Sequence, residues 1–532
     1  MAKFSDLREY LQVLERKGRL VRIQREIVKE TELLPLVRLQ YRGLEEEERM
    51  AFLFENITDV KGRKYEGKVA AAVYGASRNM FAWGMGLENP DEMYERWRQA
   101  LNHPLPPRLV NSGPVQEVVH TGAWLEEVGM DYFPVPVEEP GFSGTIRTTN
   151  QIITKDHDTG IRNVGTYSAH IRARNRLMCG IAPIHHLRLH HWRKAQEKGI
   201  PLPAAVVIGA VPSVTYVGSA NIPYGMDELG VAGALMGEPL ELVPCKTVDL
   251  EVPANAEIVI EGEIPPEVME PYSAFGEYPG YMMMEHRASP IMKITCITHR
   301  RQPIFTPFLV GFFPSDNHVI QRFTTECVYH RFLKYECNLP VVKDLAFHYS
   351  GSGWMYCVIR IRKTHPSQPW QVLHAMAGCD PKIGKIIIVV DEDVNPGDPD
   401  AVNWALSFST QPHRDMEIVK GRVPSLDPSG LPFSVEGEVR TYPPPTGNSA
   451  LLIDATRKFP YPPLALPKKE YMERAIQIWE EVGLPKLKLR EPWHGYTLGM
   501  WGDDDEENAQ LIVRGEYLKL GEKMAKRQIQ AE

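Results

Sequence analysis

Residues 164–174 read VGTYSAHIRAR, and the fold turns on how that run is taken. Val164, Thr166 and Ile171 are β-branched, a composition that favours a pleated strand. Four more runs share this character: TTNQIITKD (148–156), AAVVIGAV (204–211), EIVIEGEI (257–264) and PIMKITCITHR (290–300). Each is rich in β-branched residues and bounded by Gly, Pro or Asp. Many strands joined by turns predict a barrel or sandwich from about 115 to 320. Two helices, near 187–198 and 226–236, interrupt it.

Upstream, helix and strand alternate. VAAAVYGA (69–76) reads as a buried strand and NPDEMYERWRQAL (89–101) as a capped helix. The proline-rich NHPLPPRLVNSGP (102–114) marks a boundary. Downstream, DNHVIQRFTTECVYHRFLK (316–334) reads as a connecting helix. KIGKIIIVVDEDVNPGDPDAVNWALSF (382–408) is strand, acidic turn, then helix, as in a βαβ unit. The expected class is α+β. An N-terminal α/β domain spans 1–114, the strand-rich domain 115–315, a linking helix 316–335, a C-terminal α/β domain 336–500 and a helical tail 501–532.

At 532 residues the chain is too long for one ordinary core. A formal charge of −8 argues against a nucleic-acid partner, though not against a local pocket for a small anion. The amino end reads as a surface helix, with Phe4, Leu7, Leu11 and Leu14 at helical spacing, and not as a secretory leader. No apolar run approaches the ~20 residues that span a bilayer. The seven cysteines include no CxxC pair and read as reduced thiols, so a cytoplasmic location is expected.

Three polar constellations stand out. Arg172, Arg174 and Arg176 alternate and would share one strand face, either solvated or gripping a phosphate. His185, His186, His190 and His191 follow. His186 and His190, at i and i+4, could reach one metal or could be surface residues. Asp227 and Glu228 open a helix rich in Gly and Ala, as a third ligand or as plain first-turn acids. Glu277 lies in EPYSAFGEYPGYMMMEH (270–286), among aromatic and methionine residues. Burial there would raise its pKa and suit proton transfer; pairing with an arginine is the other reading. Lys385 precedes a strand whose trailing acids, 391–393, cap the next helix or bind a cation.

Together these pieces resemble the UbiD-type decarboxylases, which use prenylated FMN. NVGTY (163–167), RKAQEKGIPLPAAVVIGAVP (193–212), DELGVAGALMGEPLELVPC (227–245), FGEYPGY (275–281) and KIGKIIIVVDEDVNPGD (382–398) occur in that family's order. The resemblance implies a central split β-barrel that binds the flavin and a C-terminal domain that forms dimers or hexamers. It implies a divalent metal (Mn²⁺, Mg²⁺ or Fe²⁺) with K⁺ beside it, on the flavin phosphate. The metal ligands become Asn163, His185 or His186, with His186 favoured, and Glu228. Tyr167, Arg172, Arg174 and Lys385 join the cofactor-binding set. A flavin prenyltransferase would supply the cofactor.

The chain departs from the family at two places. Ordinary members carry an arginine five residues after the ligand asparagine, where this chain has Ser168, and an acid where it has Tyr272. An acid–arginine–acid network is thereby reduced to Glu277. The favoured expectation is a substrate anchored elsewhere: an aromatic acyl-CoA thioester such as phthaloyl-CoA. Two alternatives are a decarboxylase or carboxylase of a free aromatic or unsaturated acid, with Tyr272, His170 or Glu277 moving the proton, and a non-catalytic flavin-binding paralogue. A metal hydrolase using the HxxxH pair is a further, flavin-independent reading.

Overall fold

The computed structural model describes residues 4–181, 186–283, 288–422, 426–430 and 448–529. Its centre is a closed barrel of six strands: β1 (Arg147–Lys155), β2 (Arg162–Ala173), β3 (Arg176–Gly180), β4 (Leu202–Ile208), β5 (Ile258–Ile264) and β6 (Ala288–His299). The order is β3-β2-β1-β4-β5-β6, all antiparallel, and β3 closes on β6 through Arg176↔Lys293, Leu177↔Met292 and Met178↔Ile291. The overall class is mixed α+β.

Local chemistry sets the register. Between β1 and β2 the Asp156 side chain accepts from the Asp158 and Thr159 amides, at 2.9 and 3.0 Å. This Asx-type turn pairs Lys155 with Arg162 and carries the ladder to Arg147↔His170. β4 is buried on both faces, which is why it reads as a continuous apolar run; β5 carries the buried Glu261, whose carboxylate accepts from the Lys246 and Thr247 amides, and the exposed Glu263.

The run AAVVIGAV is shorter as a strand than its composition predicts. β4 ends at Ile208, Gly209 turns the chain at φ +72°, and Pro212 opens helix α1 (Pro212–Ser219). Helix α2 (Glu228–Met236) follows, with the Asp227 side chain capping the Leu229 amide at 3.1 Å. Both helices pack on β2.

A sheet of Leu20–Ile23, Ala51–Phe54, Lys68–Ala71 and Ile304–Phe305 lies beside the barrel. Its last strand comes from after β6, so the amino-terminal elements and the barrel share one hydrophobic core. Helix α3 (Asp316–Arg331) leads to a C-terminal sheet ordered Val342–Phe347, Tyr356–Ile361, Ile386–Asp391, Asn448–Asp454 and Met416–Arg422. The acids after Ile386–Asp391 do not cap the next helix. Asp393 chelates the Arg457 guanidinium, Asp391 accepts the Arg457 amide at 2.7 Å, and Asp398 supplies the cap. Among the described residues no helix is long and apolar enough to cross a membrane. All seven cysteines are free.

Candidate active site

Alternation along β1 and β2 builds a polar ladder. Arg147, Thr149 and Gln151 lie opposite His170, Ser168 and Thr166, and side chains directly opposite share a face. Gln151 Nε2 donates to Thr166 Oγ1 at 3.3 Å, the Thr149 and Ser168 hydroxyls are 3.2 Å apart, and Arg147 Nη1 donates to Ser168 Oγ at 3.3 Å. The chain of hydroxyls continues from Thr166 to Ser219 of α1, at 3.1 Å.

At the start of β2, Asn163 is buried and its Nδ2 has no hydrogen-bond partner. Its side chain bonds the Tyr167 hydroxyl. Glu228, in the first turn of α2, accepts from the Val164 amide at 3.3 Å. The carboxyl is buried and pairs with no cation among the described residues, and desolvation pushes it up to about 8. Neighbouring Asp227 is instead paired with Arg162 at 2.6 Å.

His185 lies outside the described residues. His186 sits with its ring 5.6 Å from both His190 and Tyr224. Burial, His190 and Lys382 push it below the usual histidine value, against Asp380. His186 therefore lies within electrostatic reach of Asp380 and Lys382 of the C-terminal domain. His190 is stacked on Tyr224 at 4.0 Å. Among the described residues no group of three His, Cys, Asp or Glu could hold a metal. That leaves the HxxxH hydrolase reading without a third ligand of those types among the described residues.

Glu277 begins a tight turn between the short strands Phe275–Gly276 and Met282–Met283. Its carbonyl accepts from the Gly280 amide at 2.9 Å, and Gly280 takes φ +86°. The Tyr278 amide donates to Glu277 Oε2 at 3.2 Å. Tyr278 is pinned from outside: its hydroxyl donates to Asn317 Oδ1 at 2.7 Å, and its carbonyl accepts from Ser352 Oγ at 2.8 Å and His318 Nε2 at 3.0 Å. The turn thus bridges the barrel to α3 and the C-terminal domain.

Beneath it lies Arg147, buried, with its guanidinium forked onto Glu138 at 2.8 and 2.9 Å. Nη2 also donates to the Gly276 carbonyl at 2.7 Å, and the guanidinium lies 4.7 Å from the Phe275 ring centre. His170 is fully buried, edge-on to Phe275 and Tyr272 at 4.7 and 5.5 Å. Burial, then the charges of Arg147 and Arg172, push it down to about 2. Its imidazole stays neutral and is no imidazolium donor at working pH.

The arginines do not form a row. β2 ends at Ala173 and the chain turns, with a register shift between Ile171 and Ala173, so the strand is not regular across the three. Arg172 and Arg176 pair with Glu270 at 3.5 and 3.0 Å, and Arg174 with Asp131 at 2.9 Å. Arg172 also donates to the Pro271 carbonyl at 2.6 Å and to Ser273 Oγ at 3.2 Å, holding the segment that carries Tyr272. Lys385 is paired with Asp427 at 2.7 Å within the C-terminal domain.

Sequence reading passed over Arg147 and Glu138. The one signal in the chain is an arginine beginning an alternating polar strand, RTTNQ, and its register against Ser168 could not be read from the chain alone.

Three family models cover the chain in order: the 3-octaprenyl-4-hydroxybenzoate carboxy-lyase N-terminal domain over residues 11–101, its Rift-related domain over 108–313 and its C-terminal domain over 318–455. The chain is 30% identical over 498 residues to a phenolic acid decarboxylase of Sedimentibacter hydroxybenzoicus, covering 90% of this chain and 98% of that one. Among solved structures it is similar to an evolved dimeric form of the UbiD-class enzyme HmfF from Pelotomaculum thermopropionicum in complex with prFMN. There the TM-score is 0.74, the identity 31%, and the match covers 86% of this chain and 96% of that one. It is also similar to the closed form of the vanillic acid decarboxylase of Sedimentibacter hydroxybenzoicus, with TM-score 0.76 and 27% identity over 90% of this chain and 99% of that one. With three successive domains matched and these relatives spanned almost end to end, the chain belongs to the UbiD family of carboxy-lyases.

Proposed function

We propose that this chain catalyses the non-oxidative, reversible decarboxylation of an aromatic carboxylic acid with prenylated FMN. The observation that carries the reading is the buried Asn163–Glu228 corner. A buried carboxyl without a cation partner among the described residues, next in space to a buried asparagine whose amide oxygen can ligate, suits with a histidine nitrogen the mixed N/O ligand set of Mn²⁺, Mg²⁺ or Fe²⁺. Asn163, Glu228 and His185 or His186 would hold that metal and, through it with K⁺, the flavin phosphate. Tyr167 orients the Asn163 amide, and Lys385 comes from the facing domain.

When bound, prenylated FMN supplies an electron sink for the carbon that loses CO₂. The chain's own residues do the rest. The turn at Glu277 holds its carboxyl over the ladder. The Tyr278 amide holds the carboxyl through Oε2, and that carboxyl carries the proton to the vacated carbon. Phe275 and Tyr272 exclude water on one side.

The expectation of an acyl-CoA thioester, phthaloyl-CoA included, rests on the absence of a cation at position 168. Arg147 reaches Ser168 Oγ from β1, which removes that premise. The free aromatic acid is the substrate class we propose. We also assign a homo-oligomer. The helices Lys469–Glu481, Asp503–Val513 and Tyr517–Ala525 bury no residue and expose Ile478, Val482, Tyr517 and Leu518, a surface suited to a second copy.

The test is co-expression with a flavin prenyltransferase, mass spectrometry of the small molecule released on denaturation, and CO₂ release from paired aromatic acids and CoA thioesters. Prenylated FMN, stoichiometric metal and turnover of free acids are expected. Faster turnover of thioesters would reinstate the anchored substrate, and absence of flavin would favour a non-catalytic paralogue.

A further inference from the structure

We propose that Arg147 is the positioning residue for Glu277, so that a Glu138–Arg147–Glu277 chain of charges, built from separate elements, does here what an arginine at position 168 would do. This rests on Glu277 as the proton donor of the proposed function.

The geometry is specific. A guanidinium has five N–H donors. Four of those on Arg147 are placed: two on Glu138, one on the Gly276 carbonyl and one on Ser168 Oγ. Gly276 is the residue before Glu277, and its peptides are held on two sides. Its carbonyl takes Arg147 Nη2, and its amide donates to Glu139 Oε2 at 3.3 Å. A Cβ at Gly276 would collide with the Glu139 carboxylate and displace it from the Gly276 amide. Phe275, on the other side of Gly276, lies against the same guanidinium. The two consecutive residues leading into Glu277 are therefore set by one buried cation. Glu277 is among the acids whose charge acts on Arg147.

Ser168 adds a second line of support. Cross-strand pairs 149–168 and 147–170 are adjacent on the same face, so Arg147 and residue 168 are diagonal neighbours. An arginine at 168 would bring a second guanidinium against the first. The serine instead accepts a hydrogen bond from it. Burying a charge pair costs desolvation that an apolar pair of equal volume would avoid, so packing alone gives little reason for Arg147 and Glu138. A role in orienting Glu277 and setting how readily its carboxyl gives up a proton does. The other charged and titratable groups around the turn are Arg38, Glu138, Glu139, Tyr278, Asp316 and His318; Arg38 donates to the Val310 and Phe312 carbonyls, and Arg147 is the cation bonded to the turn segment itself.

The experiment uses the full-length chain loaded with cofactor, in the variants Arg147→Met, Arg147→Lys and the double variant Arg147→Met/Ser168→Arg. Glu277 is titrated by difference infrared spectroscopy, with Glu277→Gln assigning its carboxyl band, and kcat and KM are measured separately. Removing a nearby cation raises a carboxyl pKa, so Arg147→Met should move the Glu277 titration up by about 1 pH unit or more. It should lower kcat by about tenfold or more with KM changed less. Arg147→Lys, which keeps the charge without the fork, should recover part of both. The double variant, returning a guanidinium to the same face, should recover more than Arg147→Met. Should Arg147→Met fail to fold because Glu138 is left unpaired, Glu138→Gln/Arg147→Met removes both charges and is read the same way. An unmoved Glu277 titration with unchanged kcat in a folded variant would overturn the proposal. The titration needs no substrate. A wild-type chain that decarboxylates nothing therefore counts against the proposed function, while the infrared shift still decides whether Arg147 sets Glu277.

Discussion

The Tyr167 ring lies back along β2 over Gly165, so that its hydroxyl meets the Asn163 side chain on the same strand face. A Cβ at Gly165 would collide with that ring. The order Asn-x-Gly-x-Tyr is thus a mechanical unit: the glycine vacates the space the tyrosine needs to hold the asparagine.

Gly165→Ala should therefore displace Tyr167 and free Asn163. Overpacking of a buried site typically costs about 1–3 kcal/mol. Thermal unfolding should show that loss, and flavin retained through gel filtration should fall more than stability alone explains. Wild-type retention would separate Tyr167 from cofactor binding.

Glu228→Ala removes the buried carboxylate of the corner. Metal content and flavin occupancy should fall together, by about tenfold or more, given that even indirect metal contacts carry about 10–100-fold in affinity. Full flavin occupancy in the purified variant, read by absorbance and metal analysis, would refute the ligand assignment.

Glu277→Gln keeps the shape of the turn, since the Tyr278 amide can donate to a carboxamide oxygen as well. Cofactor binding should be unchanged and turnover should drop by roughly 10²–10⁴-fold. Near wild-type turnover would make Glu277 structural.

Asp316 offers a pH prediction away from the cofactor. It is buried, Oδ1 accepts from the Leu309 and Asn317 amides at 2.9 and 2.8 Å, and desolvation raises its carboxyl to about 7. A folded-state value above the unfolded one favours the neutral acid, so this group destabilises the fold increasingly as pH climbs from about 4 to about 7. Asp316→Asn keeps both hydrogen bonds and cannot ionise. Its unfolding midpoint should match wild type near pH 4 and exceed it at pH 8, by up to about 4 kcal/mol in stability. Equal midpoints at both pH values would place the ionisation outside the folded-state balance.

Much of the architecture was legible because its signals are local. The β-branched runs bounded by Gly, Pro or Asp that became the barrel strands, and the acids Asp227 and Glu228 that open α2, are each written in a few neighbouring residues, and the five ordered motifs named the family. The arginine row failed for a local reason as well: a hairpin after Ala173 breaks an alternation that looks unbroken in the sequence.

Composition and order determined the class, the family and the presence of Asn163, Glu228 and Glu277. Only the tertiary structure decided what stands beside them. Whether position 168 leaves a site without a cation depends on strand register, which shifts every neighbour by a face with each residue of slip. Arg147 is 21 positions from Ser168 in sequence and 3.3 Å away in space. Cross-strand contact between residues that far apart is a property of the closed ladder, and no spacing along the chain encodes it.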